Sequence, residues 1–311
     1  MFQLYKPRNF NSIINDTFTF FKISGKNYFK NYFIINGGLL LILVVTGFII
    51  GKVFLENVMS GSAASSSPEM MGQYFSENFG LMIGLGSVSF LLLLVVTIIN
   101  YIYPVVYLKL QDTNELPNSK QIWTAAKSKI GKAIIFGLLS LISFFPIAIL
   151  VGLFSFLMVI IIIGIPVAII LLAAYTCWVL LTFYDYITSD NSYFTSMGIA
   201  WQMLFKNFWA HMGSTAIFYA ILYIFQLVFV FLSFIIQSLT GLVSTQTGAA
   251  ADVMETMSVT MIIAFVIQTI IGFVIGNFIM INQGMIYYSC IEQNENKSLQ
   301  SEIDLIGTDV E

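Results

Sequence analysis

AIIFGLLSLISFFPIAILVGLFSFLMVIIIIGIPVAIILLAAYTCWVLLTFY, residues 133–184, contains no Asp, Glu, Lys, Arg or His, and charge resumes only at Lys132 before it and Asp185 after it. A helix crossing the hydrocarbon core of a bilayer needs about 20 apolar residues. This run therefore holds two crossings and the turn between them, with the third span of the chain near Ala133–Phe154 and the fourth near Met158–Phe183.

The rest of the chain follows the same rule. Further charge-poor runs place a first span near Ile34–Val53, a second from about Gly80 to Leu108, a fifth near Met212–Ser238 and a sixth from about Met261 to Ser289. The chain is 58% hydrophobic and 9% charged, far below the roughly 25% charged residues of soluble domains, and its mean hydropathy is +0.88. A soluble globular domain is excluded. The expected fold class is all-α, a polytopic membrane helix bundle of about six spans arranged as three hairpins. The first 30 residues carry five basic side chains, and the first long apolar run starts only near Phe33, so no cleavable signal peptide is expected.

Lysines orient the bundle. Lys6, Arg8, Lys22, Lys26 and Lys30 precede span one, and Lys109, Lys120, Lys127, Lys129 and Lys132 lie between spans two and three. Lys206 separates spans four and five, Lys297 follows span six, and only Lys52 falls on the other side. By the positive-inside rule both termini are expected in the cytoplasm, and the protein in the bacterial inner membrane. Two connections of small and weakly acidic residues, 56–79 and 239–258, are expected as mobile loops on the opposite face.

The chain also reads as a threefold repeat. Ser12, Ser119 and Ser196 each open a polar–apolar segment with a Lys ten residues on, at Lys22, Lys129 and Lys206. Tyr107 precedes Ser119 by twelve residues, and Tyr184 precedes Ser196 by the same interval. The expected organisation is a single membrane domain, 1–291, built of units 1–110, 111–187 and 188–291, with an acidic cytoplasmic tail, 292–311, outside it. Each unit would be an amphipathic interfacial helix followed by a transmembrane hairpin. In the first, Phe10, Ile13, Ile14, Thr17, Phe18 and Phe21 form the apolar face. The third, Ser196 to Phe208, carries Trp201, Leu204, Phe205 and Phe208.

These short helices, of the form Ile199-Ala-Trp201-x-x-Leu204-x-Lys206-Asn207, each ahead of a long hydrophobic hairpin, resemble the membrane domain of bacterial glycerophosphoryl diester phosphodiesterases. They also resemble related uncharacterised six-helix bacterial membrane proteins. The resemblance covers residues 8–291 and lies in the layout. It implies a six-helix inner-membrane protein; it does not imply phosphodiesterase activity, because the soluble catalytic barrel that carries the acid–base residues in those enzymes has no room here.

Chemistry has few carriers here. The chain has one histidine, His211, and two cysteines, Cys177 and Cys290, both in apolar runs. No nucleophile elbow, phosphate-binding glycine loop or Cys-x-x-Cys is present. No catalytic residue, metal ligand or cofactor is expected. His211, beside Trp209, reads as an interfacial anchor, and Asp185 as an interfacial acid that faces water or pairs with a lysine. The candidate intramembrane polar cluster is Asn100, Asn277, Asn282 and Gln283, which either lines a cavity or bonds helix to helix. If the protein transports a solute, Asn100, Asn277 and Asn282 should face one common cavity. Pro104, Pro146 and Pro166 lie in or near spans. Gly47-x-x-x-Gly51, Gly80-x-x-x-Gly84 and Gly272-x-x-x-Gly276 allow close helix approach.

The expected function is that of a non-enzymatic scaffold or accessory subunit of an envelope complex. The alternatives are a transporter, channel or lipid-moving protein and, last, a membrane-embedded lipid enzyme. Expected partners are membrane lipids, with other membrane proteins or a second copy left open, and no nucleic acid.

Overall fold

The structure is a computed structural model. It describes the backbone of residues 2–64, 68–112, 116–161, 164–247 and 250–296, and the side chains of these apart from 53–64, 68–78, 81–82, 240–247 and 250–258. Every element among the described residues is a helix: α1 (Phe10–Ala64), α2 (Pro68–Gln111), α3 (Ser119–Ile160), α4 (Ile165–Thr188), α5 (Tyr193–Lys206), α6 (Phe208–Thr247) and α7 (Ala250–Glu295). All but α5 contain a stretch long and apolar enough to cross a bilayer. The chain is a multi-pass, all-α membrane protein.

Local chemistry sets the helix starts. Asn9 and Ser12 bond reciprocally, Ser12 N–H to Asn9 Oδ1 at 2.9 Å and Asn9 N–H to Ser12 Oγ at 2.7 Å. Asn118 and Gln121 form a full capping box on α3, and Ser192 Oγ accepts from the Thr195 N–H at the start of α5. Each device satisfies amide donors that a first helical turn leaves unpaired.

The expected interfacial segments are helical, but only the third stands alone, as α5. The first is the opening of α1 and the second the opening of α3. Neither contains a residue that stops a helix, whereas Asn207 leaves helical geometry (φ −138°, ψ 56°) and parts α5 from α6.

The expected loops 56–79 and 239–258 are mostly helix. α1 continues to Ala64, α2 starts at Pro68, α6 reaches Thr247 and α7 starts at Ala250. Residues 65–67 and 248–249 lie outside the described residues, as does the tail from Lys297. Pro68 occupies the first helical position, where its missing N–H costs nothing. α3 runs to Ile160 and α4 starts only at Ile165, later than expected, because Pro166 starts a helix here rather than kinking one. Gly164 is required just before α4: a Cβ there would lie 2.9 Å from the Met158 backbone. Pro104 and Pro146 sit inside α2 and α3.

The chain divides into two compact units, one of Met1–Ile35, Ile98–Ile221 and Gly276–Glu311, the other of Asn36–Thr97 and Leu222–Ile275. This division cuts across the first and third expected repeats and leaves 111–187 whole in the first unit. In the second unit the Gly47/Gly51 pair is used for close packing: Gly47 meets Val266, and a Cβ at Gly51 would be 2.9 Å from Ile262. Gly80, Gly84, Gly272 and Gly276 meet nothing within 4 Å among the described residues.

The first unit carries the polar chemistry. There α4 packs against α3 and α5. α1 buries Ile13, Thr17, Phe20, Ser24, Tyr28, Asn31 and Tyr32, a stripe at the three-and-four spacing of a packed helix face. Phe10 and Phe18, expected on the apolar face, are part-exposed and lie outside this buried stripe, in which Phe20 takes the inward position.

Candidate functional site

Thr17, Ser24 and Asn31 recur every seven residues along the buried stripe of α1, so polar groups repeat on the face that meets other helices. Buried polar groups need partners, because an unmatched amide or hydroxyl away from water costs about 1–3 kcal/mol. α7 supplies many of them.

Asn277 accepts a hydrogen bond from Tyr28 Oη at 2.5 Å. Tyr32 Oη donates to Asn100 Oδ1 at 2.7 Å, and Asn277 Nδ2 donates to the same oxygen at 3.4 Å. Tyr103 Oη reaches the Tyr28 carbonyl at 2.6 Å, and Tyr107 Oη reaches Asn27 Oδ1 at 2.9 Å. The rings of Tyr28, Tyr103 and Tyr107 pack edge to face around this point, with centroids 4.8–5.0 Å from Tyr28. These bonds join α1, α2 and α7.

A second cluster lies further along α7. Asn282 Nδ2 donates to Ser214 Oγ at 2.7 Å and to Thr17 Oγ1 at 3.3 Å. Gln283 Nε2 donates to Thr215 Oγ1 at 2.7 Å. Here α7 is tied to α1 and α6. All four candidate residues are buried, Asn277, Asn282 and Gln283 completely and Asn100 nearly so. The structure thus brings Asn100 together with Asn277, and Asn282 together with Gln283, in two sets of helix-to-helix bonds. One polar atom is left over: Gln283 Oε1 is buried without a partner.

Removing one of these bonds should have a modest, measurable cost. Tyr32→Phe and Asn100→Leu, singly and together, are expected to give a coupling energy of about 0.6–1.7 kcal/mol in denaturant titrations, the range of hydrogen bonds inside membrane bundles. Strictly additive effects of the two changes would show that the bond contributes nothing.

Asp185 departs from its expected place. It is 3% exposed, because α7 covers the last turn of α4. Its carboxylate accepts from Asn191 Nδ2 at 3.0 Å, Tyr287 Oη at 3.3 Å and Ser189 Oγ at 3.4 Å. Among the described residues it receives only these neutral donors, so it neither faces water nor pairs with a lysine. The nearby lysines serve backbone carbonyls instead. Lys109 donates to Thr188 O at 2.7 Å and Lys132 to Ser189 O at 2.8 Å, both at the negative end of α4. Lys132 also stands 4.0 Å from Asp190.

His211 is likewise no interfacial anchor. It is 1% exposed, and its Nε2 lies 3.9 Å from Cys290 Sγ while Nδ1 has no partner. Ser214 and Thr215, one turn on, hold the α7 amides, so the His211 face of α6 packs toward α7 while Trp209 is exposed. Among the described residues, no three His, Cys, Asp or Glu side chains come together.

The chain's sole arginine was the least legible residue. The Arg8 side chain is fully buried. Its Nε donates to Asp16 Oδ2 at 2.8 Å, its Nη1 to Leu4 O at 2.8 Å and its Nη2 to Gln3 O at 2.8 Å. Its backbone N–H donates to Ser289 Oγ on α7 at 2.8 Å. Burial pulls the guanidinium pKa down and Asp16 holds it up. Tyr5, on the loop that Arg8 pins, packs edge-on against Tyr288 at 5.2 Å, and burial, with help from nearby acids, pushes its hydroxyl up to about 12.

Comparison with family models, with curated proteins and with solved structures finds no match to this chain.

Proposed function

We propose that this protein is a non-enzymatic component of the bacterial inner membrane, with both termini in the cytoplasm, serving as a scaffold or accessory subunit of an envelope complex. One observation carries the reading: the four candidate amides, Asn100, Asn277, Asn282 and Gln283, are engaged in bonds between helices, whereas among the described residues the buried Asn36 amide has no partner. Asn277 accepts from Tyr28, Asn100 accepts from Tyr32, and Asn282 and Gln283 hold α6. A solute path needs polar groups turned toward an open route, and these groups face one another. The distribution of twelve of the thirteen basic residues on one side of the six spans supports the orientation. The likeness in layout to the membrane domain of glycerophosphoryl diester phosphodiesterases fits a membrane part without chemistry of its own.

Transport keeps a supporting observation: among the described residues Gln283 Oε1 is buried without a partner, an acceptor that a solute donor could meet. Native mass spectrometry of the full chain, released gently from its own membrane, separates the two readings. The scaffold reading expects a protein partner at fixed stoichiometry. A partner-free chain that carries solute flux across liposomes, lost in Gln283→Leu, would overturn it.

A further inference from the structure

A groove of about 350 Å³ opens at the start of α3, lined by Ser119, Lys120 and Trp123 and, from α1, by Ile34 and Ile35. Its walls are held in place. Asn31, one turn before Ile34 and Ile35, donates to the Pro117 carbonyl at 3.0 Å, and the Asn118–Gln121 box fixes the first turn of α3. Among the described residues the Lys120 ammonium, the Ser119 hydroxyl and the Trp123 indole N–H have no partner. Among the described residues no acid lines the groove, and α3 contains four lysines and no acid.

One half of this groove therefore offers unused donors and a positive charge, and the other half offers two isoleucines at the start of an apolar run. The matching molecule is anionic at one end and apolar at the other. A free phosphate would meet the donors and leave Ile34 and Ile35 uncovered. A tryptophan at this boundary suits the level where headgroup meets acyl chain. We infer that the groove holds one anionic phospholipid, its phosphate against Lys120, Ser119 and Trp123 and the upper part of an acyl chain along Ile34 and Ile35. This rests on the cytoplasmic placement of the start of α3 and is independent of the scaffold role.

The test uses the purified full chain equilibrated with equal amounts of phosphatidylglycerol and phosphatidylcholine and read by native mass spectrometry. One lysine near the headgroup contributes about 1 kcal/mol, so the protein should retain a single phosphatidylglycerol about 5-fold over phosphatidylcholine. Lys120→Gln should bring that ratio close to one. Lys120 is exposed and makes no bond, so the variant should fold, which its melting temperature checks. Lys127→Gln, exposed on the same helix but outside the groove, should keep the original ratio. Equal retention of the two lipids would overturn the site. So would an equal loss in Lys127→Gln, which marks diffuse surface attraction, or displacement of the lipid by millimolar inorganic phosphate, which marks a free-anion site. Failure to find a protein partner would remove the scaffold reading and leave this lipid ratio unchanged.

Discussion

Gly284→Ala is expected to lower stability by about 1–3 kcal/mol, and Gly284→Val by more, measured as loss of the folded fraction in denaturant or as a fall in melting temperature in detergent. α7 passes α2 and α4 at this residue with no space for a side chain. A Cβ would lie 2.9 Å from Tyr184 Oη, 3.2 Å from Tyr184 Cζ, and against Leu108 Cδ1. Leu108 and Tyr184 are both fully buried, so neither can swing into open space. Tyr184 also donates to the Met280 carbonyl at 2.6 Å. Moving it aside breaks that bond and leaves the buried Tyr184 hydroxyl unmatched, which adds to the steric cost. Leu108→Ala, costly alone because Leu108 is buried, should combine with Gly284→Ala to less than the sum of the two losses, since it opens space the new methyl needs. Gly272→Ala is the control, since its Cβ meets nothing within 4 Å among the described residues, and that change should be neutral or slightly favourable by helix propensity. A Gly284→Ala protein that melts like its parent would show that α7 does not approach α2 and α4 this closely.

Arg8→Met should cost about 3 kcal/mol and release the N-terminal segment to protease. Breaking a buried ion pair by removing one partner costs about 3–5 kcal/mol. The low end applies because Asp16 remains 18% exposed and keeps a second contact with Lys6 at 3.4 Å. Three carbonyls, of Gln3, Leu4 and Lys6, would lose their donor together. Lysine should not substitute: its single ammonium cannot present the planar fork that reaches Asp16 on one side and the carbonyls on the other. Arg8→Lys is therefore expected to behave closer to Arg8→Met than to the parent. Cleavage within residues 2–9 at the same rate in all three proteins would disprove the pinning.

The spans were readable because hydropathy is a property of one helix against lipid, and runs such as 133–184 leave no other solution. The in-span amides were readable for the same reason, as polar groups where none is cheap. Their pairing was not. Tyr28 and Asn277 are 249 residues apart, and no local pattern joins them. The seven-residue recurrence of Thr17, Ser24 and Asn31 did mark the buried face of α1, but the bulkier Phe10 and Phe18 obscured it. Asp185 was misplaced, and the burial of Arg8 went unread, because a charged residue near a span end normally reaches water. Here α7 covers one and a folded-back N-terminal loop covers the other. His211 was misplaced likewise, since Trp209 beside it signals the bilayer surface while Ser214 and Thr215 turn that face toward α7.

The bonds of α7 reach across the chain: 281 residues from Ser289 to Arg8, 265 from Asn282 to Thr17 and 249 from Asn277 to Tyr28. A ribosome delivers α1 first and α7 long afterwards. Until α7 inserts, Tyr28, Thr17 and Ser214 lack their α7 partners, and the Arg8 amide has nothing to hold. The earlier helices can each cross the bilayer alone, yet they cannot settle against one another without leaving these groups unmatched. A chain that stops before residue 277 would leave Tyr28, Thr17 and Ser214 without these partners inside the membrane.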